Sequence, residues 1–182
     1  FLTEANSDET SPFARKLDLA RVGAYGHSTG GGGVIQFCGT DPRCKAVLGM
    51  DPFMRPVSAE VIANGVSQPS FYMFSQGWHD DTESISNRFF WQFHPNVKNS
   101  FGVVSIDGTK HFDFSDLPLF SPIAPQLGLK GPLNGARVTE IVASQLNVTG
   151  AAPDLSLDLC FAHGARSLIR DSDGNVWFFQ RS

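Results

Sequence analysis

The chain has 182 residues, of which 41% are hydrophobic and 18% charged, and its formal net charge is -4. This length fits one domain with a buried core, and the composition is ordinary for a soluble globular protein. The acidic balance excludes the basic surface that nucleic acid or anionic lipid would require, so we expect no nucleic-acid partner. Because no apolar run reaches the roughly 18 residues of a membrane span, we also expect no transmembrane segment.

Strand and helix patterns alternate along the chain. An apolar run over residues 19–25 predicts a first strand, and the apolar residues 34–38 predict a helix soon after it. The other predicted strands cover residues 45–50, 70–75, 100–106 and 175–179, and the other predicted helices cover residues 58–64, 81 or 82 to 93, and 134–146. This alternation is typical of an α/β fold, in which helices cover both faces of a mostly parallel sheet. Ligands of such sheets bind beyond the carboxyl ends of the strands.

A Gly-His-Ser-Thr-Gly-Gly motif over residues 26–31 joins the first strand to the first helix. In a G-x-S-x-G motif the serine sits on a sharp turn, and glycines let the strand and the helix pass closely. We therefore predict Ser28 as a nucleophile and the N–H of Thr29 as an oxyanion donor. The glycines at 30–33 also allow a phosphate-binding turn or a flexible loop, although the Lys-Ser or Lys-Thr of a P-loop is missing.

A serine nucleophile needs a base, and the base needs a carboxylate to orient it. The chain has five histidines. His111 lies in a loop directly after a predicted strand, and it follows the serine in the order typical of α/β-hydrolases. We therefore predict His111 as the base, rather than His27, His79, His94 or His163.

The choice of the acid is open on position alone. Asp51 ends the strand after the elbow strand, whereas Asp80 and Asp81 follow the next strand, the commoner location for the acid, so position slightly favours them. Each also has a structural interpretation, as a turn initiator before a proline for Asp51 and as a helix cap for the other two. Asp113 and Asp116 follow the histidine and break the expected order.

Three segments carry the chemistry-bearing motifs: residues 26–31, 48–56 and 108–116. Together they resemble the triad segments of the plasma-type platelet-activating-factor acetylhydrolases and their bacterial and fungal relatives, serine esterases with an α/β-hydrolase fold. In that family the acid follows the strand immediately after the elbow strand, in a segment that ends in an aromatic residue and a proline. The resemblance therefore implies a triad of Ser28, Asp51 and His111 that transfers acyl groups without a cofactor.

The substrate that the resemblance implies is a short-chain or phospholipid-type ester. Phe53 and Trp78 are candidates to line an acyl pocket, although aromatic residues at such positions are also typical of a core. A broader lipase, cutinase-like or polyester hydrolase is an alternative, because one fold hosts many substrates. A second alternative is a non-catalytic binding subunit of a split hydrolase.

An α/β-hydrolase has several strands before its elbow, whereas residues 1–18 here are mostly polar and include Pro12. We expect one partial catalytic domain over residues 1–182, with a lead-in before a triad-bearing core at 19–146 and a C-terminal tail with a last strand at 147–182. The resemblance places the second oxyanion donor after an early strand. We therefore expect a companion N-terminal polypeptide, without which an edge of the central sheet would be exposed.

Three cysteines are too few for a disulfide scaffold and lack the spacing of a zinc site, so we expect no metal. Cys38 and Cys44 flank a short turn and are candidates for a disulfide, which would favour a secreted or periplasmic location. Residues 171–175 resemble the start of a calcium-binding loop, but no glutamate stands at the twelfth position, so a turn is favoured.

Overall fold

The sheet is the framework of the molecule. The computed structural model describes residues 1–117, 121, 123–148, 168–170 and 176–179. The strands in this part of the chain are β1 (Val22–His27), β2 (Cys44–Met50), β3 (Ser70–Ser75), β4 (Ser100–Ile106), β5 (Leu168–Arg170) and β6 (Val176–Phe179). They form one sheet in the order β4-β3-β2-β1-β6-β5. All neighbours are parallel except β5 and β6, which are antiparallel.

Helices alternate with the strands from β1 to β4, which confirms the predicted α/β class. The described helices are α1 (Leu2–Ser7), α2 (Thr29–Thr40), α3 (Ala59–Asn64), α4 (Gln76–Asp80), α5 (Ile85–Phe93) and α6 (Gly135–Val148), with two short 3-10 helices at His94–Asn96 and His111–Phe114. Because β1 to β4 are consecutive neighbours, right-handed crossovers place the intervening helices on one face of the sheet. None of the described helices is both long enough and apolar enough to span a membrane.

Apolar side chains cover both faces of the sheet. On the face of α2, α3 and α5 they form a buried cluster that includes Ile35, Val61 and Phe90. On the other face, α6 packs Ile141 and Val142 against a second buried cluster. Strand β3, which lies between β4 and β2, is buried along its whole length. The strand ends that face the candidate site are therefore anchored in a core on both sides.

The structure differs from the predicted elements at several boundaries. Helix α2 begins at Thr29, so the glycines at 30–33 lie inside a helix and the flexible-loop interpretation is wrong. Helix α4 was not predicted, and α5 begins at Ile85 because a turn intervenes. The edge of β1 that faces away from β2 pairs in parallel with β6.

A disulfide joins Cys38 in α2 to Cys44 at the start of β2, with a Cα–Cα distance of 5.0 Å. The two candidate cysteines are therefore paired in the structure. The bond closes the turn that leads from the elbow helix back into the sheet. His163 and the calcium-like segment at 171–175 lie outside the described residues.

Candidate active site

Ser28 occupies a strained turn between β1 and α2. Its backbone angles are φ 56° and ψ -122°, a combination that costs a residue with a side chain about 1–3 kcal/mol. The Ser28 N–H donates to the carbonyl of Met50 at 2.9 Å, and the Ser28 carbonyl accepts from the N–H of Phe53 at 2.8 Å. The elbow is thus fixed by its backbone to the end of β2 and to the segment that follows.

The glycines around Ser28 are required for space. A Cβ on Gly26 would lie 2.4 Å from the carbonyl carbon and oxygen of Gly30, and a Cβ on Gly32 would lie 2.1 Å from the carbonyl oxygen of Phe53. Backbone atoms at such distances cannot be moved aside as a flexible side chain can. The glycine run is therefore a packing surface on which the strand, the helix and the segment after β2 meet.

His111 links Ser28 to Asp51 in one hydrogen-bond chain. The His111 Nε2 lies 2.9 Å from the Ser28 Oγ, and the His111 Nδ1 lies 3.0 Å from the Asp51 Oδ2. With an ionised Asp51, the network assigns the ring proton to Nδ1 and leaves Nε2 to accept from the serine hydroxyl. Residues that are 60 and 83 positions apart in the sequence are brought together here.

Asp51 follows β2 and is completely buried. Its N–H donates to the carbonyl of Met73 at 2.9 Å, and its carboxylate accepts from the N–H and the hydroxyl of Ser75 at 2.7 and 2.6 Å. Burial raises the pKa of Asp51, while the hydrogen bonds from His111 and Ser75 act in the opposite direction. Sequence reasoning missed Ser75, although its place at the end of the next strand put it at the same sheet edge.

Asp80 and Asp81, the alternatives for the acid, lie on the surface. The Asp80 carboxylate is 3.1 Å from the Nδ1 of His79, and the Asp81 carboxylate accepts from the N–H of Ser84 at 3.1 Å. Helix α4 separates both residues from the end of β3. The carboxylate that reaches His111 is therefore that of Asp51, the residue that the family resemblance implied.

The loop that carries His111 is held by a buried carboxylate, Asp113. The Asp113 Oδ2 accepts from the N–H of Lys110 at 2.8 Å and from the N–H of Gly131 at 2.7 Å. The ammonium of Lys130 lies 3.7 Å from the other oxygen. Asp113 thus ties the histidine loop to the chain that precedes α6, a role that sequence reasoning also missed.

His27 contacts the imidazole of His111, with ring centroids 4.4 Å apart. Burial lowers the pKa of His27 to about 4, and the nearby His111 adds to this effect. Donor atoms of His27, Asp51 and His111 lie within 4.8 Å of one another, which is close enough for a metal ion. Both ring nitrogens of His111 are already engaged with Ser28 and Asp51, so a metal would have to break the hydrogen-bond chain.

An open cavity of about 280 Å³ lies beside His111. Trp78, Phe112 and Leu129 are among its lining residues, whereas Phe53 is not. Of the two predicted acyl-pocket residues, Trp78 therefore lines the cavity next to the histidine, and Phe53 contacts the backbone of the elbow.

The predicted oxyanion donor is exposed at the start of a helix. Thr29 is the first residue of α2, directly after Ser28. N–H groups in the first turn of a helix have no acceptor within the helix, and the helix dipole favours negative charge there. The position of Thr29 therefore suits an amide that stabilises an anion next to the serine.

The chain is similar in sequence to proteins of one family. The family model described as platelet-activating factor acetylhydrolase, isoform II matches residues 5–159. The platelet-activating factor acetylhydrolase of Cavia porcellus is 27% identical over 162 residues, which cover 88% of this chain and 36% of that protein. The enzyme of the same name from Gallus gallus is 24% identical over 127 residues, which cover 69% of this chain and 29% of that protein.

Among solved structures, the esterase domain of a Rhodothermus marinus protein has a TM-score of 0.40 and 18% identity, and the match covers 69% of this chain and 59% of that one. The chain spans little more than a third of the length of the Cavia porcellus relative. Within that span the family model covers most of this chain, and the motif segments lie inside the match. The resemblance is therefore confirmed: the chain belongs to the platelet-activating factor acetylhydrolase isoform II family.

Proposed function

We propose that this chain carries the catalytic residues of a serine carboxylic-ester hydrolase. The observation that carries the proposal is the hydrogen-bond chain from Ser28 through His111 to Asp51. A nucleophile, a base and a buried carboxylate in this order are the requirement for acyl transfer through a serine. Family membership and the names of the relatives support the same reaction class.

In the proposed mechanism, the His111 Nε2 takes the proton of Ser28 as its Oγ attacks the ester carbonyl carbon. The tetrahedral intermediate then collapses, and the imidazolium gives that proton to the leaving alcohol. Water attacks the acyl-serine with His111 as base, and the proton returns to Ser28 as the acid is released. Asp51 stays ionised and stabilises the imidazolium throughout.

The N–H of Thr29 donates to the oxyanion in this proposal, since it begins the helix that follows the nucleophile. The family resemblance implies a second oxyanion donor, in a loop that follows an early strand of the fold.

The proposed substrates are short-chain or phospholipid-type esters. The relatives are named acetylhydrolases of platelet-activating factor, and this name supports a short acyl group. The cavity beside His111 has a volume of about 280 Å³, small for a ligand site, and aromatic and aliphatic side chains contribute to its lining. A small apolar cavity suits a short acyl group better than a long one.

The experiment that tests the proposed function compares the wild type with Ser28→Ala on p-nitrophenyl esters from acetate to palmitate. The exposed Ser67→Ala variant serves as a matched control. We expect wild type and Ser67→Ala to hydrolyse the short esters and to react with a fluorophosphonate at Ser28, and Ser28→Ala to do neither. Activity that survives in Ser28→Ala would overturn the nucleophile, and preference for palmitate would overturn the short-chain class in favour of a lipase.

We also propose that the protein works in an oxidising compartment, secreted or periplasmic. The disulfide between Cys38 and Cys44 supports this location, because such bonds persist mainly outside reducing compartments. Thiol alkylation under denaturing conditions, applied to the protein taken directly from its host, tests it. We expect Cys38 and Cys44 to resist alkylation until a reductant is added, and immediate alkylation of both would contradict the proposal.

A further inference from the structure

Helix α4 places the indole of Trp78 flat against the imidazole of His111. The ring centroids are 4.5 Å apart and the planes differ by only 14°. A cation over the face of an aromatic ring is attracted by the ring's electron density, and tryptophan gives the strongest effect. In the proposed mechanism, His111 becomes a cation each time it takes a proton from the serine or from water.

Trp78 is tied to the acid through Ser75. The Ser75 Oγ donates to the Asp51 carboxylate at 2.6 Å, and it accepts from the N–H of Trp78 at 3.3 Å. From the other side, the Asn87 side-chain amide donates to the Trp78 carbonyl at 2.5 Å. The backbone of Trp78 is therefore held at both its N–H and its carbonyl.

Helix α4 is also bonded to the loop that carries the histidine. The Gln76 N–H donates to the Thr109 hydroxyl at 3.3 Å, and the Gln76 side chain accepts from the N–H of Gly108 at 2.9 Å. The Gly77 N–H reaches the Thr109 carbonyl at 3.4 Å. The tryptophan and the histidine thus belong to two segments that are held together independently of the stacking contact.

The indole of Trp78 makes no competing polar contact within the described part of the chain. Its N–H is buried without a hydrogen-bond partner there. The stack on His111 is consequently the most specific interaction of this ring, and replacement by phenylalanine removes no described hydrogen bond. This distinguishes an effect of the ring's electron density from an effect of lost hydrogen bonding.

We propose that Trp78 is a positioning residue for His111: the indole fixes the plane of the imidazole and stabilises the imidazolium form in the transition state. This inference rests on the proposed ester hydrolysis and deepens it, because it assigns to Trp78 more than the lining of an acyl pocket. The two roles have different kinetic consequences. A pocket wall affects the KM for the ester, whereas stabilisation of a transient cation affects kcat.

The first test measures kcat and KM for p-nitrophenyl acetate in Trp78→Leu and Trp78→Phe. We expect Trp78→Leu to lower kcat by about 10-fold with KM within about 2-fold of the wild type, and Trp78→Phe to recover part of kcat. Trp91→Leu, which changes a half-exposed tryptophan on α5, is the matched control and keeps the wild-type kcat. A raised KM with unchanged kcat in Trp78→Leu would overturn the inference and leave a pocket wall.

The second test replaces Trp78 alone by tryptophans that carry one to four ring fluorines. Fluorination withdraws electron density from the ring face with little change of shape, so we expect kcat to fall stepwise with each fluorine. A kcat that is independent of fluorination would overturn the role of the ring electrons. If the wild type neither hydrolyses esters nor reacts with a fluorophosphonate, it is the proposed function that fails; a flat fluorine series in an active enzyme refutes only the role of Trp78.

Discussion

The segments that carry Ser28 and His111 differ in how far they depend on side chains. The serine elbow is held by backbone hydrogen bonds and by glycines that leave no room for a Cβ. The histidine loop also has backbone bonds, at Gly108 and Thr109, but it depends in addition on a side chain, the carboxylate of Asp113. A close contact between backbones cannot relax, whereas polar side-chain contacts can be lost one at a time. Small changes at the elbow should therefore abolish the site, and changes of the Asp113 side chain should weaken the histidine loop by degrees.

The largest effect is expected at Gly26. A Cβ there would meet the backbone of Gly30 at 2.4 Å, so we expect Gly26→Ala to lower the free energy of unfolding by about 3 kcal/mol or more and to abolish fluorophosphonate labelling. Urea unfolding and labelling measure both. The matched control is Gly33→Ala in the same helix, where a Cβ has open space; it should stabilise the fold by about 0.5–1 kcal/mol. Equal effects of the two variants would contradict the claim that the lack of space at Gly26 fixes the elbow.

An intermediate effect is expected at Asp113. Asp113→Ala removes the acceptor of two backbone N–H groups, which costs about 2–4 kcal/mol of unfolding free energy. Because the His111 loop loses its tie, kcat should also fall by about 10-fold or more, as a small displacement of a base is costly.

Asp113→Asn is the control for that experiment. The amide oxygen still accepts both N–H groups, but the charge beside Lys130 is lost. We expect Asp113→Asn to keep more than half of the unfolding free energy that Asp113→Ala loses, and most of the activity. An Asp113→Ala variant with wild-type kcat would show that the loop does not depend on this carboxylate.

The smallest effect concerns His27, where the elbow touches the histidine loop. The pKa of His27 is about 4 in the folded protein, whereas an unperturbed histidine has a pKa of 6.5. Between pH 6.5 and pH 4 the unfolded chain therefore binds a proton that the folded protein does not bind. Stability from the neutral His27 is therefore present above pH 6.5 and is lost between pH 6.5 and 4.

Urea unfolding of the wild type and of His27→Asn at pH 7 and at about pH 4.5 measures this difference. We expect His27→Asn to lose about 1 kcal/mol less than the wild type across the window, allowing for the partial exposure of the ring. The free energy of unfolding of each protein at about pH 4.5 is compared with its own value at pH 7, so any packing that the substitution removes cancels from the comparison. Parallel losses in the two proteins would contradict a His27 that stays neutral in the folded protein.

Local patterns predicted the strands and the elbow well. The strands at 70–75 and 100–106 have the predicted bounds. Each is a short run of apolar and β-forming residues, and each is bordered by turn residues or by a proline. The G-x-S-x-G motif located the strand-turn-helix around Ser28 for the same reason: strand, turn and helix are adjacent in sequence. Features that are encoded within about ten residues could therefore be predicted from the sequence.

Features that depend on contacts between distant residues could not be predicted from the sequence. Helix α4 has only five residues, which is too short to show a clear helical pattern in the sequence. It depends on bonds to Ser75 and to the histidine loop. All three candidate acids, Asp51, Asp80 and Asp81, follow strands, and position alone slightly favoured Asp80 and Asp81. The structure separates them because α4 intervenes after β3 and carries Asp80 and Asp81 to the surface.

The N–H groups of Ser28 and Asp51 each extend the pairing of the sheet by one residue, toward the carbonyls of Met50 and Met73. The nucleophile and the acid therefore stand on adjacent strands at the separation that β-pairing imposes, about 4.8 Å between chains. An imidazole ring with a nitrogen at either side spans this gap with two hydrogen bonds. The geometry of the peptide backbone, rather than that of any side chain, thus sets the scale of the triad.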